Sequence, residues 1–259
     1  MSGVREPSWL LQVAESRAVA ELATFAAMAP LWRLAPAGDG HSVLVLPGFM
    51  ASDRSTQILR TVLASRGFDV HGWSLGRNTG PSVEVIEGIE RKLAQLHQRS
   101  GRKVSVVGWS LGGIYARELA RGMPQAIRQV ITLGSPFRMT AEDRSAVSEV
   151  FERLNDLSDG RLNAQVPEPQ RAPLTMPSTA IYSRTDGVVR WHTCIDEQGP
   201  RRENIEVRGS HCGLGWNLSA LYAVVDRLAQ PVGRWAPFRP PRALHLQFPK
   251  PVTWNAKAA

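Results

Sequence analysis

A strand, a five-residue turn and a helix run together over residues 103–122, and no other feature constrains this chain as much. Lys103-Val104-Ser105-Val106-Val107 is rich in β-branched residues and reads as a buried strand. Gly108-Trp109-Ser110-Leu111-Gly112 follows, then Gly113-Ile114-Tyr115-Ala116-Arg117-Glu118-Leu119-Ala120-Arg121, a helix that stops at Gly122 and Pro124. Side chains at the flanking glycines would collide with strand and helix, so the turn can be tight enough to strain the backbone of Ser110. Its hydroxyl is then raised at the strand's end, beside the positive end of a helix.

The same G-x-S-x-G pattern occurs a second time, as Gly72-Trp73-Ser74-Leu75-Gly76. Its flanks separate the two. Ser74 follows a plausible strand, residues 68–73, but Arg77-Asn78-Thr79-Gly80-Pro81 comes next. Gly-Pro breaks regular structure, so no helix starts at Ser74. Ser110 is the candidate nucleophile.

Strands and helices alternate around this unit. Residues 8–28 read as a helix and Val43-Leu44-Val45-Leu46, ended by Pro47-Gly48, as a buried strand. A helix over 53–65, a strand over 68–73, a helix over 82–99 closed by Gly101, and a strand over 127–133 complete the first half. Such alternation predicts a parallel, doubly wound sheet. It breaks at Gly134-Ser135-Pro136, after which residues 137–177 hold one helix, 141–157, and a stretch rich in Pro, Gln and Asn. A connection that long reads as a cap over the site. Strands resume at 178–183 and 203–207, a last helix covers 217–229, and a tail rich in Pro and aromatic residues reads as an extended strap without regular structure. The expected organisation is an N-terminal helical segment (1–40), a core in two parts (41–136 and 178–230), the cap (137–177) and the strap (231–259).

Composition narrows the function classes. A chain of 259 residues is long enough for one sizeable core. The net charge of +8 is spread along the chain, without a zinc finger, an RNA-recognition motif or a basic helix with heptads, so nucleic acid is not an expected partner. Residues 1–7 do not resemble a secretory signal, which points to the cytoplasm. The apolar stretch 18–32, interrupted by Pro30, is too short to span a membrane but leaves peripheral contact with one open. Two cysteines, Cys194 and Cys212, cannot make a disulfide framework; a single bridge between them fits an oxidising compartment, and two buried free thiols are the default in a cytoplasmic one.

An activated serine needs a base, and the base an orienting carboxylate. His211 lies in Gly209-Ser210-His211-Cys212-Gly213, a loop of small residues between the last strand and the last helix. His192, beside Trp191, and His245, in the tail, lack that setting. Asp186, in Arg184-Thr185-Asp186-Gly187, stands at the carboxyl end of the preceding strand; Asp196 and Asp159 are its rivals. Oxyanion donors would be the backbone N–H groups of Leu111 and Phe49, with Met50 second, and Met50 and Trp109 would supply apolar walls. His192, Cys194, His211 and Cys212 fit no common zinc spacing, and no phosphate-binding glycine loop is present, so neither metal nor cofactor is expected.

These motifs together, over about residues 41–230, resemble a bacterial serine α/β-hydrolase of the lipase and carboxylesterase type. The residues carrying the likeness are Val43-Leu44-Val45-Leu46-Pro47-Gly48-Phe49, Gly108-Trp109-Ser110-Leu111-Gly112-Gly113, Tyr182-Ser183-Arg184-Thr185-Asp186-Gly187-Val188-Val189 and Gly209-Ser210-His211. The resemblance implies an α/β-hydrolase fold: a compact, mostly parallel sheet with helices on both faces and a small helical cap. It implies Ser110, Asp186 and His211 as the triad, Phe49 and Leu111 as oxyanion donors, and a small-molecule or lipid ester as substrate. Two departures stand out. Pro47-Gly48 replaces the His-Gly of many such lipases, and strands before Val43 are missing or short. An acyltransferase or polyester synthase with the same triad, and a non-catalytic binding module, are the alternatives; product analysis with an acceptor alcohol separates the first.

Overall fold

The computed structural model describes residues 7–28, 35–139, 168 and 171–251. Strands β1 (Ser42–Leu46), β2 (Asp69–Gly72), β3 (Val104–Trp109), β4 (Ile127–Leu133), β5 (Ser178–Tyr182) and β6 (Arg202–Glu206) form one sheet in the order β2-β1-β3-β4-β5-β6. Every neighbouring pair is parallel. The α-helices are α1 (Trp9–Val13), α2 (Ala18–Met28), α3 (Gln57–Ser65), α4 (Val83–Ser100), α5 (Leu111–Gly122) and α6 (Leu218–Leu228), with 3₁₀ turns at Ala14–Arg17, Trp191–Cys194 and Arg242–Gln247.

Alternation along the strands divides the core in two. Leu44, Leu46, Val104 and Val106 face one way, onto Ile89 and Leu93 of α4 and Ile114 of α5. Val43, Val45, Val107, Ile131 and Ile181 face the other, onto Leu59 and Leu63 of α3 and Leu221 and Val224 of α6. Both faces are covered, which is why the strands read as continuous apolar runs.

The chain steps outward from β1 to β2, then crosses to the other side of β1 to begin β3. That reversal opens a crevice at the carboxyl ends of β1 and β3, the place where open α/β sheets bind ligands. Gly48 follows β1 there, and Ser110 follows β3.

Local differences from the sequence reading have physical causes. The helix expected from residue 53 begins at Gln57, because the Asp53 carboxylate accepts from the N–H groups of Trp73 and Ser74 (3.0 Å each) instead of capping a helix. The tail is not wholly irregular: Arg242–Gln247 forms a 3₁₀ helix, and Phe238 and Phe248 pack on the α6 side of the core. Cys194 is buried as expected, but Cys212 is exposed; both are free thiols. The expected cap helix, 141–157, lies outside the described residues. Glu168, at the far side of that segment, is buried and paired with the Arg117 guanidinium, which also meets Asp196 at 2.9 Å.

Candidate active site

Ser110 joins β3 to α5 with φ 53° and ψ −121°, a backbone conformation that L-residues rarely hold. The surrounding chain enforces it. A Cβ at Gly108 would land on the carbonyl of Gly112, and one at Gly112 on the carbonyl of Leu46. The Ser110 N–H donates to the carbonyl of Leu133 (2.8 Å), which anchors the turn to the next strand.

Asp186 and His211 sit at the same end of the sheet, on the segments after β5 and β6. His211 Nδ1–H donates to Asp186 Oδ2 at 2.6 Å, and Asp186 Oδ1 accepts from the N–H groups of Val188 (2.9 Å) and Val189 (2.8 Å). Burial disfavours the imidazolium, but the adjacent Asp186 carboxylate outweighs it, so the His211 pKa is raised above its ordinary value. The bond to Asp186 leaves Nε2 as the proton acceptor. Among the described residues Ser110 Oγ makes no hydrogen bond to the imidazole. Trp109, expected as an apolar wall, is buried in the core beside His211. Its Nε1–H donates to the His211 carbonyl (3.2 Å) and its ring meets Trp216 edge to face.

The N-terminal segment holds these loops from outside. Glu15 accepts from the N–H groups of Gly187 (2.8 Å) and His211 (2.9 Å) through Oε1, and from Cys212 (2.9 Å) through Oε2. Glu21 accepts from Ser210 N–H (2.8 Å), and Arg17 donates to the carbonyls of Thr185 and Gly209. Burial raises the Glu15 carboxyl pKa, but the three N–H donors outweigh it and hold the group below its ordinary value.

The turn after β1 forms the other wall. The Met50 N–H is already committed to the carbonyl of Asn78 (2.6 Å), which removes it as a free oxyanion donor. Phe49 N–H finds no acceptor among the described residues, and Leu111, first in its helix, has no intrahelical one. Buried Asn78 is the brace of this turn. Its Nδ2 donates to the Pro47 carbonyl (2.9 Å), and its Oδ1 accepts from Tyr115 (3.2 Å). The Met50 side chain is 51% exposed beside it.

A second Ser-His-Asp chain exists and has to be weighed. His41 Nδ1 meets the Asp39 carboxylate, and its Nε2 lies 2.7 Å from Ser105 Oγ. Ser105 is 0% and His41 1% exposed, and Ser105 lies early in β3, away from the carboxyl ends of the strands. No substrate reaches it. A cavity of about 570 Å³ also opens at the amino ends of the strands, lined by Arg102, Lys103, Arg128 and Arg201. It faces away from Ser110.

The other candidates fall elsewhere. Asp196 is committed to Arg117, Asp159 lies outside the described residues, and His245 Nδ1 donates to the Arg242 carbonyl (2.7 Å). His192 packs edge to face on Trp191. Among the described residues no three His, Cys, Asp or Glu side chains are grouped to hold a metal ion, and no helix is long and apolar enough to cross a membrane. Ser74, also at positive φ, occupies an exposed turn with no helix after it.

This arrangement of parallel strands, elbow serine and loop-borne pair is the α/β-hydrolase fold. A family model described as PGAP1-like alpha/beta domain matches residues 65–188. Over 129 residues the chain is 29% identical to a pimeloyl-[acyl-carrier protein] methyl ester esterase of Aliivibrio salmonicida; the match covers 46% of this chain and 48% of the esterase. The chain thus spans about half the length of that relative. Lipase B of Aspergillus fumigatus superposes with a TM-score of 0.57 at 17% identity, over 73% of this chain and 52% of the lipase. A monoacylglycerol lipase of Paleococcus ferrophilus does so with 0.53 at 14% identity, over 75% of this chain and 96% of that one. The chain has the α/β-hydrolase fold, and the proteins it is similar to here are esterases and lipases.

Proposed function

We propose that this protein hydrolyses carboxylic esters with Ser110 as nucleophile, His211 as general base and acid, and Asp186 as the group that orients His211. The observation that carries the reading is the 2.6 Å bond between Asp186 Oδ2 and His211 Nδ1, made at the end of the sheet that bears the strained Ser110.

In the first step Ser110 Oγ bonds to the ester carbonyl carbon while its proton passes to His211 Nε2. The carbonyl electron pair moves onto oxygen, which the N–H groups of Phe49 and Leu111 receive; one such donor is worth roughly 10²–10³ in rate. Collapse breaks the bond to the leaving oxygen, which takes the proton from Nε2 and departs as an alcohol. Water then gives a proton to Nε2 and attacks the acyl carbon. The second collapse returns that proton to Ser110 Oγ and releases the acid. Asp186 keeps the imidazole in the tautomer that both steps need.

Relatives that include an esterase for a methyl ester and a monoacylglycerol lipase support a small-molecule or lipid ester as substrate. Met50, half exposed beside the oxyanion turn, is suited to meet its acyl or alkyl part. Purified wild type and Ser110→Ala, compared on a panel of p-nitrophenyl esters, test the assignment. Turnover should vanish in the variant, and retained turnover overturns it. An added acceptor alcohol shows whether acyl groups are transferred instead.

A further inference from the structure

Residues 7–28 carry three ionised side chains, Glu15, Arg17 and Glu21. A surface helix ordinarily turns its charges to water and its apolar side chains to the core. Here the order is reversed. Trp9, Leu10, Val13 and Val19 are exposed, while Glu15, Arg17 and Glu21 all bind the backbone of the two loops that bear Asp186 and His211. Packing alone does not require such an inversion.

Glu15 is the centre of this arrangement. Its Oε1 accepts at once from the residue after Asp186 and from His211 itself, so one oxygen atom ties the acid loop to the base loop. Its Oε2 accepts from Cys212, the residue after the base. A carboxylate receiving backbone N–H groups makes short, charge-assisted bonds. The approach is close: a Cβ on Gly187 would run into the carbonyl of Leu11. Direct bonds between the two loops also exist, from Ser183 Oγ (2.7 Å) and Thr185 Oγ1 (3.0 Å) to the Gly209 carbonyl, but they stop short of His211.

We propose that Glu15 is a positioning residue of the catalytic pair, setting the distance between Asp186 and His211 and favouring the imidazolium that forms when His211 takes the serine proton. The proposal rests on the Ser110–His211–Asp186 reading given above. The groups facing His211 are Asp186 from the segment after β5, Glu15 from the N-terminal segment, and the adjacent Cys212; Arg17 and Glu21 flank the same loops. Glu15 meets the His211 backbone N–H and acts on the ring through its charge alone, whereas Asp186 bonds the ring itself.

The test uses the full chain as wild type, Glu15→Gln and Glu15→Ala. The His211 imidazole is titrated by NMR, kcat and KM are followed against pH with a small ester, and thermal melting confirms folding. In Glu15→Gln, which keeps an Oε1 acceptor but no charge, His211 should titrate about half a pH unit or more lower. The acidic limb of kcat/KM should move with it while KM stays within about twofold. Glu15→Ala should lose about tenfold or more in kcat. Should Glu15→Ala fail to fold, Glu15→Gln decides the matter alone. A folded Glu15→Gln whose His211 titrates as in wild type, with an unmoved pH limb, overturns the proposal and leaves Glu15 a tether only. A shifted titration in a protein whose wild type turns over no ester supports Glu15 and refutes ester hydrolysis.

Discussion

Asp186 Oδ2 lies 2.6 Å from His211 Nδ1, across 25 residues of chain and two different strand ends. This one bond fixes the tautomer of the base and raises its pKa against the opposing effect of burial. A base must be neutral to accept a proton. Activity should therefore rise with pH through an inflection above the ordinary histidine value of about 6.5. The stability that the protonated ring draws from Asp186 runs the other way: it is fully present below that ordinary value and is lost as pH rises through the raised one. A kcat/KM profile and His211 titration should show the same inflection. Asp186→Asn should lower kcat by about 10³–10⁴-fold, as loss of the correct tautomer does in such triads.

Gly134 marks how closely the pair is packed. It holds φ +52°, and a Cβ there would sit 3.1 Å from His211 Nδ1 and 3.2 Å from Asp186 Oδ2. Gly134→Ala is expected to destabilise the fold by roughly 1 kcal/mol or more, and to depress kcat much further than that loss explains. Melting temperature and single-turnover rate, measured together, separate the two effects.

Asn78 acts at a distance from the reacting atoms by holding the turn that carries Phe49. Its bonds to Pro47, Met50 and Tyr115 would all be lost or weakened in Asn78→Ala. A loosened oxyanion turn should lower kcat by about 10–100-fold with KM little changed, since the lost interaction is made in the transition state. A raised KM with kcat unchanged would instead point to substrate binding.

The buried chain Asp39–His41–Ser105 copies the residue types of a triad without access for a substrate. Ser105→Ala should cost roughly 1–3 kcal/mol of stability, because it leaves a buried His41 nitrogen without its partner. Ester turnover should stay within about twofold of wild type.

Legibility in the sequence followed the range of the interactions. The strands around Val43, Val104 and Ile127 were plain because burial on both faces writes continuous apolar runs. Ser110, Asp186 and His211, which the fold brings to one end of the sheet, each sit in a short motif with its own local signature. Glu15 left no such mark. It lies 172 residues from Gly187 and 196 from His211, in a helix whose apolar content reads as ordinary packing. The one available signal was that residues 7–28 hold so few charges, with two of the three spaced four apart, Arg17 and Glu21. Asn78 was hidden differently. Its loop breaks the helix pattern, but a breaker motif says nothing about which buried carbonyls and amides the side chain meets.

Treatment of the purified chain with a fluorophosphonate probe, followed by mass-spectrometric mapping of the modified residue, tests the central claim most directly. The expected result is one label on Ser110, lost in His211→Ala and unaffected by Ser105→Ala. A label on Ser74, or none on a folded protein, would contradict the assignment of Ser110 as an activated nucleophile.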